Sequence, residues 1–417
     1  MIKKRILGNS SHLNQKNILW NMIASTLAAG QSALMLIIVN RTVGLTEAGI
    51  FTLAYSIAQM MMTIGYFDMR SYQVTDVKNE MPFKHYFASR IITCLLMMVV
   101  SAFYIVFKQY SGYKAGVIFF TCLFKMVDAL EDVIHALFQK RGRLDVAGKL
   151  QSIRFILVII AFALALIVTG NAMISIVICT VISAAIVIFL NISLITEFDE
   201  LKVDFSLAPL KTLFKACLPL FIGSYLALYM ENSPKYAIDR YLTEADQAYY
   251  GMLAMTAFVV NLFSGFAFRP MLTPLAMSWN DKNYKRYCKI IIKLLAWVVL
   301  LTVVIAGGAY VVGIPVLSFV YGTDLSHLKM ILVIIVAAGG INSFGTILYY
   351  SLTVMRRQNW LLMGYIVTAA AAFFLAPYCV RNFGLMGAAC AFALIVTVRS
   401  LIFIFIFFAG YQRREKS

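Results

Sequence analysis

The sequence predicts an all-α integral membrane protein: about 12 transmembrane helices in two six-helix lobes related by a pseudo-twofold along the membrane normal. Three observations predict it. Hydrophobic residues make up 61% of the chain and charged ones 13%, bilayer-length apolar stretches follow one another from end to end, and a short motif recurs at the midpoint. No aqueous fold hides that much apolar surface. Closed barrels, the other spanning solution, show alternating segments of about 10 residues. Here Phe155 to Thr169 and Leu401 to Phe408 run continuously apolar, so the backbone polar groups must be satisfied within helices.

Taken in order, Lys3, Lys4 and Arg5 precede an apolar run too long for the core of a signal peptide and without a cleavage site, so residues 18–40 read as a retained first span. Five more spans follow near 47–68, 86–107, 115–138, 147–169 and 172–195. The second set lies near 213–236, 247–272, 288–311, 328–353, 359–379 and 385–409. Phe319 to Gly322 reads as a short interfacial piece. No loop is long enough for a separate soluble domain.

Charge orients the bundle. Of 36 Lys and Arg, with those near span ends counted in the adjoining segment, 27 fall on the side that a cytoplasmic N-terminus would put inside, 7 on the outer side, and two, Lys125 and Arg399, deep within spans. The positive-inside rule then places both termini in the cytoplasm. It also accounts for the net charge of +17 as topology and attraction to anionic headgroups, so no nucleic-acid partner is implied.

Leu45-Thr46-Glu47-Ala48 recurs as Leu242-Thr243-Glu244-Ala245, and each is followed by Leu-Ala, at Leu53-Ala54 and Leu253-Ala254. Both copies stand just after the first span of a set of six. The expected lobes are therefore residues 1–206, spans one to six, and 207–417, spans seven to twelve. An even number of spans per half gives parallel repeats, and a cavity between two such lobes, opened alternately to either side, is a transporter architecture.

Ionisable groups near the bilayer centre cost about 2.5–3.5 kcal/mol each on insertion scales and normally carry function. In the fourth span Lys125, Asp128, Glu131, Asp132 and His135 follow three- and four-residue steps, which puts most of them on one face. In the seventh, Glu231, Lys235 and Asp239 repeat every four residues beside Asn232, Pro234 and Arg240. Arg154, Arg269 and Arg399 stand in the fifth, eighth and twelfth. Lys125, Arg154, Lys235, Arg269 and Arg399 are candidates to grip an anionic headgroup. Asp128, Glu131, Asp132, Glu231 and Asp239 are candidates for a proton or sodium step. Structural pairing between helices is the other reading of all of them.

Polar and aromatic residues step along three spans: Asn21, Ser25 and Ser32; Tyr55, Gln59 and Tyr66; Tyr225, Tyr229 and Tyr236. They suit a sugar-lined path or interface anchoring. The seven cysteines are scattered singly, without the spacing of a metal site or a disulfide framework, and no metal or other cofactor is expected.

Asp239-Arg240-Tyr241-Leu242 through Tyr249-Tyr250-Gly251 resembles the pattern at the same junction in bacterial polysaccharide flippases of the multidrug/oligosaccharidyl-lipid/polysaccharide exporter superfamily. Val316 through Gly322, Phe383-Gly384-Leu385-Met386-Gly387-Ala388-Ala389 and Gly44 through Ala54 are similar to that family's motifs in the corresponding places. The resemblance implies a MATE-like fold and transfer of an undecaprenyl-diphosphate-linked oligosaccharide from inner to outer leaflet, for O-antigen, capsule or another surface polysaccharide. It implies a cationic cavity, to which Lys125, Arg154, Arg269 and Arg399 would contribute. It also implies a monomer in the bacterial cytoplasmic membrane, in contact with membrane lipids and with other polysaccharide-assembly proteins.

With no Walker A sequence, ATP hydrolysis by this chain is not expected, and coupling to a Na+ or H+ gradient is the natural alternative. An ion-coupled multidrug or organic-cation exporter of the same fold is the rival reading, for which the acids of the fourth span argue. A polysaccharide polymerase or other membrane enzyme would want a large outer loop with catalytic groups, and every outer connection here is short.

Overall fold

In the computed structural model the described residues are 2–8, 12–76, 80–268, 271–355 and 357–412, and no strand occurs among them. Six long helices come first: α1 Leu13–Thr42, α2 Leu45–Tyr66, α3 Phe83–Phe107, α4 Gly112–Lys140, α5 Leu144–Thr169 and α6 Ala172–Ile195. Then come α7 Leu207–Tyr241, α8 Glu244–Phe268, α9 Tyr284–Tyr321 and α10 Lys329–Val354. The 55-residue stretch Gln358–Gln412 breaks at Gly384 into α11 (358–383) and α12 (385–412). A short helix, Ile2–Leu7, precedes α1, and two more, Met69–Thr75 and Leu272–Asn280, stand in the connections after α2 and α8.

Ten of these helical stretches are long and apolar enough to cross a membrane. Charged α4 is not among the ten, and α11 and α12 count there as one. With α4 included and the last pair separated, the long helices among the described residues number twelve, as the hydropathy pattern predicts. The chain is a multi-pass membrane protein.

Local chemistry sets the helix ends. The carbonyl of the Asn171 side chain accepts the Ile174 N–H at 3.1 Å at the start of α6, and Asn283 does the same for Arg286 at 3.1 Å at the start of α9. The break between α11 and α12 lies within the Phe383–Ala389 motif. Gly384 holds φ 58° and ψ −139°, where a Cβ is strained. One turn later, a Cβ on Gly387 would lie 2.0 Å from the carbonyl oxygen of Cys379, so this backbone approach also needs glycine.

Two compact units divide the chain, Met1–Tyr225 and Leu226–Ser417. The first part of α7 belongs to unit 1 because Leu213 and Cys217 are buried in its apolar cluster, with Phe67, Phe83 and Phe138. Within unit 1, α4 packs against α2, α3, α5 and α6, while α1 packs against α5. Within unit 2, α10 packs against α8, α9 and the α11–α12 stretch. Each unit is thus built around the helix that stands fourth in its set of six.

The outward faces are apolar. Val99, Phe103, Val106 and Phe107 on α3, and Ile160, Leu164, Ile167 and Val168 on α5, are exposed. Continuous apolar surface of this extent would drive association in water, and in hydrocarbon it carries no penalty. Polar side chains are instead gathered inside the units. All seven cysteines are free.

Candidate functional site

In unit 1 the charges of α4 meet side chains from four other helices, one of them charged. Arg154 on α5 donates from Nη1 to Asp128 Oδ1 at 2.6 Å and to Ser183 Oγ on α6 at 2.7 Å, and from Nη2 to Glu131 Oε2 at 2.7 Å. Lys125 Nζ donates to Asp128 Oδ2 at 2.8 Å and to Gln31 Oε1 on α1 at 3.3 Å, and lies 4.6 Å from the centre of the Tyr55 ring on α2. Asn191 on α6 donates to Glu131 Oε1 at 3.0 Å, and His135 Nε2 lies 3.6 Å from the same oxygen. Asn191 falls in a π-helical turn, Val187–Ile192, a local widening that recurs at functional positions.

All of these side chains are buried, Arg154 completely. A lone charge at such a place costs several kcal/mol, and each is tolerable because an opposite charge or a polar group engages it, although the Arg154 Nε has no hydrogen-bond partner among the described residues. Two cations, Lys125 and Arg154, balance two anions, Asp128 and Glu131.

Asp132 points another way. One residue of helix turns it through about 100° from Glu131, toward α3, where Arg90 Nη2 reaches it at 2.9 Å, and toward the short helix Met69–Thr75, where Arg70 Nη1 reaches it at 2.8 Å. Arg90 Nη1 also donates to the Gly65 carbonyl at 2.6 Å, and the guanidinium lies 5.7 Å from the Tyr66 ring centre.

Unit 2 holds a smaller cluster. Arg399 on α12 donates from Nη2 to the backbone and side-chain oxygens of Asn342 on α10 at 2.7 and 2.8 Å, and its Nη1 lies 3.9 Å from Glu231 Oε1. Asn342 returns its own amide to Glu231 Oε1 at 3.2 Å. The guanidinium fits because Gly345 has no side chain: a Cβ there would stand 2.7 Å from Arg399 Nη2. Arg399 is 4% exposed at the side chain and Glu231 38%, so this pair runs from the interior to an open face. Lys235 donates to Asn232 Oδ1 at 3.1 Å.

Residues 15–275 match the family described as polysaccharide biosynthesis protein, over well more than half of the chain. The chain belongs to the polysaccharide biosynthesis protein family. No curated relative matches the sequence. Among solved structures it is similar to an inward-facing multidrug resistance MATE transporter of the MOP superfamily, at 12% identity over 94% of this chain and 97% of that one, with a TM-score of 0.67. A variant of the Vibrio cholerae MATE transporter VcmN aligns at 11% identity over 98% of both chains with a TM-score of 0.59. A MOP superfamily transporter from Pyrococcus furiosus, described as having a binding pocket of reverse polarity, aligns at 12% identity over 98% of this chain and 97% of that one, with a TM-score of 0.57. The fold of this family member is MATE-like.

Of the residues singled out in the sequence of this polysaccharide biosynthesis family member, Lys125, Arg154, Asp128 and Glu131 come together in one network. Asp132 joins a second, and Glu231 and Arg399 meet in unit 2. Lys235 and Asp239 follow Glu231 along α7, and Arg269 lies outside the described residues. Sequence reading missed Gln31, Arg70, Arg90, Ser183, Asn191 and Asn342. Arg90 and Arg70 were absorbed into the inner charge count, although Arg90 stands two turns inside an apolar helix. The amides gave no signal because a single Gln or Asn in an apolar helix has no spacing partner.

Proposed function

We propose that this chain flips an undecaprenyl-diphosphate-linked oligosaccharide from the inner to the outer leaflet for surface polysaccharide synthesis, by alternating access. The observation that carries the reading is membership of the polysaccharide biosynthesis family over residues 15–275. Motif similarity in both halves of the sequence supports it. In this reading the chain is a transporter and not an enzyme. It works as a monomer in the bacterial cytoplasmic membrane with both termini inside, alongside other polysaccharide-assembly proteins.

Arg399 is our first candidate for the diphosphate. Its Nε has no hydrogen-bond partner among the described residues, its Nη1 is only loosely engaged at 3.9 Å from Glu231, and its planar fork matches phosphate oxygens. Lys235 on α7 and Arg269, which lies outside the described residues, are the further candidates. Lys125 and Arg154 are committed to Asp128 and Glu131 and act, in this reading, by holding unit 1 together. Glu231, half-exposed beside Arg399, is the carboxylate best placed to take up a proton or sodium ion.

Export of organic cations is the second reading, and the solved MATE structures described as multidrug transporters favour it. Against it stands the neutralisation of Asp128, Glu131 and Asp132, each engaged by an arginine. Deletion of the gene tests the two together. The expected result is loss of surface polysaccharide, restored by the parent gene and not by an Arg399→Ala copy that is expressed and inserted. Unchanged polysaccharide with new sensitivity to cationic drugs overturns the flippase reading.

A further inference from the structure

The surroundings of Lys125 Nζ are those of a bound cation. A carboxylate oxygen of Asp128 stands at 2.8 Å, an amide oxygen of Gln31 at 3.3 Å and the face of the Tyr55 ring at 4.6 Å from its centre. Carboxylate and amide oxygens are the ligands that hard cations take, and an aromatic face attracts any cation stripped of water. These groups come from α1, α2 and α4, so the cage is built by tertiary packing. The buried Gln31 amide is oriented by its oxygen, which accepts from the ammonium at 3.3 Å and from the Tyr55 hydroxyl at 3.5 Å, while its nitrogen has no hydrogen-bond partner among the described residues.

Charge balance says what the cage requires. With Lys125 and Arg154 facing Asp128 and Glu131 the network is neutral. Without the ammonium it carries one uncompensated negative charge in a low-dielectric interior, a state that a monovalent cation corrects and a divalent one overshoots.

We propose that the Lys125 ammonium is the permanent, covalently tethered occupant of a monovalent-cation site in unit 1. The parent protein then binds no alkali ion there, and removing the lysine side chain opens a sodium site on Asp128, Gln31 and Tyr55. This holds for either transported substrate, because it concerns the occupant of unit 1 and not the cargo. It also means that any coupling ion acts elsewhere in the molecule.

The test is the melting midpoint of the purified full-length chain in detergent, followed by fluorescence size-exclusion, in sodium chloride and in choline chloride at equal ionic strength. All proteins compared carry Glu231→Gln, so that the coupling carboxylate proposed above contributes no sodium response, and on that background the parent and Lys125→Arg are expected to melt alike in both salts. Lys125→Ala is expected to melt about 2 °C or more higher in sodium, saturably, and to lose that response when Asp128→Asn is added. A Lys125→Ala protein that stays monodisperse only in sodium also supports the site. The proposal is overturned if Lys125→Ala melts or aggregates alike in both salts, if it responds to pH and not to sodium, meaning that Asp128 or His135 has taken a proton, or if the parent shows the same saturable sodium response.

Discussion

Arg154 grips Asp128 at 2.6 Å with one end of its fork while the other end holds Glu131 at 2.7 Å. One guanidinium on α5 thereby fixes two carboxylates a turn apart on α4. Removing it leaves Asp128 with Lys125 and Glu131 with only the Asn191 amide and His135, and breaking a buried ion pair costs about 3–5 kcal/mol. We predict that Arg154→Ala sharply lowers the yield of monodisperse protein and its melting midpoint. Arg154→Lys should recover part of the loss, because an ammonium reaches one carboxylate well and cannot fork to both. Equal midpoints for the parent and the alanine variant would show that the fork does not hold the helices.

Asp132 offers a comparison at a single carboxylate. Arg90 is fully buried and Arg70 is 37% exposed at the side chain. Solvent screening reduces an exposed pair to about 1 kcal/mol or less, so Arg70→Ala should shift the melting midpoint little. Arg90→Ala should cost about 3–5 kcal/mol, since it strips both Asp132 and the Gly65 carbonyl of a buried donor. Equal losses would mean that burial does not set the strength of these pairs.

The position of Arg399 depends on an absent side chain. A Cβ at residue 345 would stand 2.7 Å from its Nη2 and 2.9 Å from Ser400 Oγ. Gly345→Val should therefore push the guanidinium off Asn342 and reduce complementation of surface polysaccharide nearly as far as Arg399→Gln does, with normal membrane levels of both proteins. Full complementation by Gly345→Val would show that the contact with Asn342 is dispensable.

Outside the spans, Asp76 closes the connection between Met69–Thr75 and α3. Burial pushes its carboxyl up, but the backbone N–H groups of Glu80 and Met81 and the Lys140 ammonium outweigh that and hold it below the ordinary value of 3.8. A carboxyl depressed in the folded state stabilises fully above the unfolded value and loses its contribution as pH falls through the folded one. The difference in midpoint between the parent and Asp76→Asn should thus be constant near neutral pH and shrink below about pH 4. A difference that persists unchanged in acid would assign the effect to packing.

At Gly384 no atom lies within 4 Å of where a Cβ would be. Gly384→Ala therefore tests backbone strain without a clash, and about 1–3 kcal/mol of destabilisation is expected from placing alanine at φ 58° and ψ −139°. An unchanged melting midpoint would mean that the break between α11 and α12 relaxes to suit a side chain.

The sequence by itself determined the helices, because a bilayer demands about 20 apolar residues per crossing, a signature that only charged α4 blurs. It also marked Gly384 and Gly387 in one motif, and it put Lys125, Asp128, Glu131 and His135 on one face of α4 by their helical spacing. Partners were decided only by tertiary structure. Arg154 lies 23 and 26 residues from the acids it holds, and Gln31 lies 94 from Lys125, distances over which no helical period operates. Asp132, adjacent to Glu131, was grouped with it by spacing, yet the turn of the helix hands it to Arg70 and Arg90. The same buried lysine reads as a free cation in the sequence and stands as half of a neutral pair in the fold, because the energy of a charge in a low-dielectric interior depends on what the packing brings within about 3 Å of it.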